Sequence, residues 1–193
     1  MKIEKTITYF SAPGKENTKD CAEIAVSRAK ALGIRDIVVA SSSGYTAEIF
    51  FEAVKTEGLH LIVVTHAFGF SKSGVQDFDE AIAERLKREG VTFVTGTHAL
   101  SGMERAISRR LGGGSRTEAI AEAFRRIVSV GTKVAVECVL IAADCGAVPT
   151  DREVIAVGGT EEGADTVLVI RPSHTASFFD LQIREFAAMP RDR

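Results

Sequence analysis

The chain has 193 residues, 45% of them hydrophobic and 26% charged, the composition of a folded globular protein rather than a disordered one. Its 24 Lys and Arg against 26 Asp and Glu leave a formal charge of −2, which argues against a general electrostatic grip on nucleic acid or anionic membrane. No apolar run reaches the roughly 18 residues needed to span a bilayer. No signal-peptide core follows Met1-Lys2-Ile3-Glu4-Lys5, so a cytoplasmic protein is expected. Cys21, Cys138 and Cys145 form no CxxC, which points away from a zinc site or a disulfide framework.

The hydrophobic period alternates along the chain. Thr6 to Phe10 reads as a short strand, and 11–16 as a loop. Asn17 or Thr18 can cap a helix through Cys21, Ile24, Ala25, Ala29 and Leu32, with Gly33 as its stop. Asp36 to Ala40 is a continuous apolar strand of the kind buried on both faces. A loop, Ser41-Ser42-Ser43-Gly44-Tyr45, leads to a helix over Thr46 to about Thr56. Leu61 to Thr65 is a third strand, and His66 to Val75 a Gly/Ser/Phe loop. Asp77 to Glu89 is an amphipathic helix with Phe78, Ile82 and Leu86 spaced by four, and Val91 to Thr95 is the fourth strand.

Past residue 102 the pattern is less regular. Met103 to Leu111 reads as a short helix, broken by Gly112-Gly113-Gly114. Ser115 and Glu118 form a capping box that opens a helix to about Val128. Thr132 to Cys145 reads as a buried helix that puts Cys138 and Cys145 on one face as core thiols. Glu153 to Val157 and Thr166 to Ile170 are strands joined by a short Gly- and Glu-rich link, so they are expected to be antiparallel neighbours. The tail from Arg171 is expected to hold an irregular segment and a last helix or strand. The whole predicts a single α/β domain over 1–193, three layers around a mixed, mostly parallel sheet of about six strands. Residues 1–102 supply regular βα units with a ligand edge, and 103–193 helices, a strand pair and a tail.

In such sheets ligands bind beyond the carboxyl ends of the strands. Ser41, Ser42, Ser43, Gly44, Tyr45 and Thr46 stand between a buried strand and a helix N-terminus, where unpaired N–H groups and hydroxyls can hold a phosphate. The plainer reading is a polar turn with a hydroxyl N-cap. Thr65-His66-Ala67 and Thr97-His98-Ala99 repeat one motif one βα unit apart, which sets two imidazoles and two hydroxyls on the same edge. No carboxylate or cysteine accompanies these histidines at ligand spacing, so a metal is not expected. Phe68 and Phe70 flank Gly69 and can either fill space under the loop or wall a flat ring. Arg109-Arg110 and Arg125-Arg126 read as solvated helix faces.

Several of these stretches carry a family resemblance. Gly14 to Thr18, Gly33-Ile34, Val38 to Ala47 and Val63-Val64-Thr65-His66 resemble the C-terminal α/β domain of pyruvate kinase, and more closely the stand-alone proteins like that domain. In pyruvate kinases a Thr-x-Ser-Gly-x-Ser-Ala loop holds a phosphate of a sugar effector. Ser41, Ser43, Gly44, Thr46 and Ala47 stand at its positions here, with Ser42 and Tyr45 where basic residues are common. The resemblance implies a sheet order of 3-2-1-4-5 with an antiparallel final strand. With the strand ending at Phe10 counted as strand one, the first and fourth loops would flank the crevice. These residues do not include the catalytic barrel, so pyruvate kinase activity is not expected. Stand-alone members are similar to flavin mononucleotide (FMN) binders. That implies a phosphate at Ser42 to Thr46, ribityl hydroxyls at Asn17 and Thr65, and a flavin ring near His66, Phe68, Thr97 and His98. The leading expectation is thus a protein that binds a phosphorylated small molecule, FMN above others. The alternatives are a flavin-dependent oxidoreductase and a sensor of a phosphorylated metabolite. The related domain's oligomer interface and the apolar Phe178-Phe179 make a homo-oligomer the expectation.

Overall fold

The structure, a computed structural model, describes residues 2–192. Seven strands form one sheet: β1 (Thr8–Phe10), β2 (Asp36–Ala40), β3 (His60–Thr65), β4 (Thr92–Thr95), β5 (Val154–Gly158), β6 (Thr166–Arg171) and β7 (Gln182–Pro190). Their spatial order is β1-β7-β6-β5-β2-β3-β4. β6 is antiparallel to both of its neighbours, and every other pairing is parallel.

The apolar runs of β2, β3 and β5 follow from their place between two helical layers. Ile37 and Val39 face one side, with Val63, Ile155 and Val157. There they meet Cys21, Ala25 and Ala29 of α1 (Thr18–Leu32), Phe50 of α2 (Tyr45–Val54) and Leu86 of α3 (Glu80–Arg88). Val38, Ile62, Ala156 and Leu168 face the other side, against Val136, Val139 and Leu140 of α6 (Val130–Asp144). α5 (Arg116–Ala123) adds Ala121 to that layer and runs into a π turn, Phe124–Val128, while α4 (Gly102–Leu111) buries none of its residues.

Two glycines let α6 lie directly on the sheet. A Cβ on Gly158 would sit 2.2 Å from the Gly131 carbonyl oxygen, and one on Gly131 would sit 2.2 Å from Thr166 Oγ1. Neither position has room for a side chain, so the first turn of α6 rests on the ends of β5 and β6. That contact brings α6's polar residues to the edge where ligands bind in open sheets.

Some expectations need correction. The predicted order 3-2-1-4-5 fits when β2, not β1, is counted as strand one. The run β4-β3-β2-β5-β6 is that order, ending in an antiparallel strand. β1 instead pairs with β7 at the far edge, so it does not lie between two inner strands. The strand order therefore reverses between β2 and β5, and the loops after those two strands flank the crevice. The count began one strand early because a short β-rich run before a helix looks like any other βα unit. The tail supplies a seventh strand, β7, where six were expected. α3 starts at Glu80, because Asp79 caps it by accepting from the Ile82 N–H at 3.0 Å. Phe78, just before the cap, packs edge-on against Phe93 at 5.2 Å. Cys138 is buried as expected, but Cys145 is exposed, because α6 ends at Asp144 and the chain turns away there.

Candidate functional site

A cavity of about 200 Å³ opens at the carboxyl end of the sheet, at the β2/β5 reversal. Its walls come from four directions. Ser41, Ser42 and Thr46 follow β2, and Thr65, His66 and Phe70 follow β3. His98 follows β4, and Gly159, Glu161 and Gly163 lie in the β5–β6 loop. Arg105 of α4, Arg125 of the π turn, and Lys133 and Glu137 of α6 complete it.

The serine loop serves the helix and remains open to a ligand. The N-cap of α2 is Gly44, in the left-handed region at φ 115°, and no side chain caps it directly. Ser41 Oγ accepts from the Ala47 N–H at 3.3 Å, which leaves its own O–H to donate. Ser43 Oγ donates to Glu162 Oε1 at 3.0 Å, and Glu162 also meets Lys15 at 3.2 Å. Those hydrogen bonds hold the Glu162 carboxyl below the ordinary range. Glu162 therefore places a carboxylate beside the start of α2, where the unpaired N–H groups and helix dipole favour an anion.

Both histidines have a carboxylate at Nδ1. His66 Nδ1 lies 2.8 Å from Asp77 Oδ2, and Ser71 donates to the same oxygen at 2.9 Å. His66 and then Ser71 hold the Asp77 carboxyl below its usual range. His98 Nδ1 lies 3.7 Å from Glu137 Oε2. Phe70 stacks on His98 with centroids 4.9 Å apart and planes at 11°, and touches His66 at 4.0 Å. The three rings thus form one aromatic cluster, with His66 tilted 37° to Phe70 and 47° to His98.

Beside His98 lies a charged group inside α6. Lys133 and Glu137, four residues apart, form an ion pair in which both side chains are about 95% buried. Burial alone would raise the Glu137 carboxyl; His98, Lys133 and the Leu100 N–H at 2.8 Å outweigh it and hold the group at about 2. Lys133 has one carboxylate partner against the same burial, and it stays below the ordinary lysine range. Glu137 is well satisfied, while Lys133 depends on Glu137.

Of the residues expected at the site, Ser41, Ser42, Thr46, Thr65, His66 and His98 line the cavity. Asn17 does not; its amide donates to the carbonyls of Ala12 and Gly14 and holds its own loop. Ser43 faces Glu162, Gly44 supplies the turn, and Tyr45 lies near Lys15. Phe68 is 69% exposed, and Phe70 is the aromatic that reaches the wall. Thr97 lines a separate groove with Ala99, Asp144 and Cys145. Arg125, expected on a solvated face, lines the cavity from the π turn that precedes α6. Sequence reading missed Arg105, Lys133, Glu137, Glu161 and the two loop glycines. One signal was available: a Lys and a Glu four apart in an otherwise apolar helix must be buried and paired.

A family model described as pyruvate kinase, alpha/beta domain, matches residues 19–170. The chain belongs to that family. The match starts inside α1 and ends in β6, so it spans the five strands β2 to β6 that carry the family's sheet order. Every residue that lines the cavity falls within the match. Among the described residues, no helix is long and apolar enough to cross a membrane.

Proposed function

We propose that this pyruvate kinase alpha/beta domain protein binds a phosphorylated small molecule in the β2/β5 cavity, and that the ligand is FMN. One observation carries the reading: the Ser41–Thr46 loop at the start of α2 opens into the same cavity as the ring wall of His66, Phe70 and His98. A phosphate matches the first, through N–H and O–H donors. A flat, polar ring system matches the second. A cavity of about 200 Å³ is smaller than the 300–1,000 Å³ typical of ligand pockets, so part of a mononucleotide would remain in the open cleft. Thr65 stands between the two ends and suits a sugar-like hydroxyl chain; it already bonds Thr95 Oγ1 at 2.6 Å.

A sensor of a phosphorylated metabolite is the second reading. Arg105 and Arg125 favour it, since both line the cavity and, though Glu118 and Glu122 pair with them, each keeps further N–H donors for a phosphate. The test is the visible absorption spectrum of the purified protein, with the released ligand identified by mass spectrometry. A flavin spectrum near one per chain is expected. A colourless protein that takes up no added FMN refutes the flavin and leaves the sensor.

A further inference from the structure

We propose that the ligand's ring carries an imide N–H and that His98 Nε2 accepts its hydrogen bond. The inference rests on the ligand site proposed above and gives that site a chemical code.

Among the described residues, His98 Nε2 is the one buried side-chain nitrogen or oxygen with no hydrogen-bond partner. Buried polar atoms are nearly always paired, so an orphan at a cavity wall marks a place where a partner is missing. The other ring nitrogen fixes its character. Glu137 Oε2, 3.7 Å from His98 Nδ1, can only accept, and this assigns the tautomer that carries its proton on Nδ1. Nε2 is then left with a lone pair and needs a donor.

The surroundings narrow the donor. Arg105 and Arg125 line the same cavity, beside Glu118 at 3.9 Å and Glu122 at 2.8 Å, and each guanidinium has further N–H groups to donate to a ligand's acceptors. Phe70 and His98 stack at 11°, with His66 tilted 37° and 47° to them, and an aromatic cluster of this kind suits a planar ring. A cyclic imide meets both conditions, since its N–H lies in the ring plane between two carbonyls. The carbonyls suit cationic donors and the N–H suits His98. Flavins and uracil nucleotides both carry this group. Nε2 is shut off from water, so a neighbour must yield to admit the ring.

The test titrates the wild-type protein and His98→Ala with FMN, uridine monophosphate and the N3-methyl form of each. In the wild type, methylation of whichever parent binds is expected to weaken binding roughly 10- to 100-fold, because it removes the donor and leaves Nε2 unpaired. In His98→Ala the penalty should fall below about 3-fold, as the cycle isolates the pair. A wild-type protein that binds parent and methylated ligand equally overturns the inference while leaving the site. So does a methyl penalty unchanged in His98→Ala. Binding of uridine monophosphate in place of FMN, with the penalty present, supports the imide code and refutes the flavin. Binding of neither parent overturns the site reading and the imide code together.

Discussion

Glu137→Gln tests the charged group inside α6. Lys133 and Glu137 are each about 95% buried, and the pair is closed further by the Leu100 N–H at 2.8 Å. The amide keeps the shape of the carboxyl but removes the charge that offsets the Lys133 ammonium. Breaking one partner of a buried pair costs about 3–5 kcal/mol, because the other charge stays buried and uncompensated. For a chain of this size that corresponds to a fall in Tm of roughly 6–20 °C. Adding Lys133→Met to Glu137→Gln removes the uncompensated charge while the amide oxygen still accepts from the Leu100 N–H, and should recover most of that loss. Urea unfolding at neutral pH measures both variants. The acid limb follows the same logic. The Glu137 carboxyl is held at about 2, below its ordinary 4.5, so its contribution is complete above the unfolded value. It is lost as pH falls from there toward 2, and amounts to about 3 kcal/mol. A single variant within about 1 kcal/mol of the wild type, or a double variant no better than the single, refutes the claim that Lys133 depends on Glu137.

Three further predictions concern other parts of the molecule. Gly158→Ala places a Cβ 2.2 Å from the Gly131 carbonyl and should destabilise by about 1–3 kcal/mol or more by urea unfolding; an unchanged midpoint shows that α6 does not lie as close as described. A maleimide should label Cys145 and spare Cys21 and Cys138 in the native protein, since burial pushes the Cys138 thiol up to about 12 and raises Cys21 as well; peptide mapping reads this, and equal labelling of all three contradicts the burial. Ser42→Asp puts a carboxylate ahead of α2, where it should leave stability unchanged or raise it by about 0.3–1 kcal/mol. It should also weaken binding of a phosphorylated ligand at least about tenfold, by like-charge repulsion. Unfolding and titration together separate the two effects, and unchanged affinity removes the phosphate from that loop.

Sequence patterns made the inner sheet legible because its strands are covered on both faces. Runs such as Ile37-Val38-Val39 and Leu61 to Val64 are apolar throughout, a signature that buried parallel strands share. The place of β1 was not legible, because nothing in Thr8-Tyr9-Phe10 specifies which strand it pairs with. Its partner, β7, lies about 180 residues later, and its register depends on the tail. The ligand edge was half legible. Loops that directly follow β2, β3 and β4 could be placed from the βα alternation, which explains Ser41, Ser42, His66 and His98. The other half is long-range. Arg105, Arg125, Lys133 and Glu137 arrive from helices on the opposite face, and the β5–β6 loop looked like a hairpin link because β6 is antiparallel. Phe68 and Phe70 could not be told apart by type or spacing; only the path of the loop turns Phe70 onto His98.

Flavin affinity tests the central claim most directly. The wild-type protein would be titrated with FMN and with riboflavin, which differ only in the phosphate, by following quenching of flavin fluorescence. One FMN per chain is expected, with riboflavin weaker by roughly 10- to 100-fold, since it cannot use the donors at the start of α2. Equal affinity for the two would contradict a phosphate site at Ser41 to Thr46, and no binding of either would contradict the flavin.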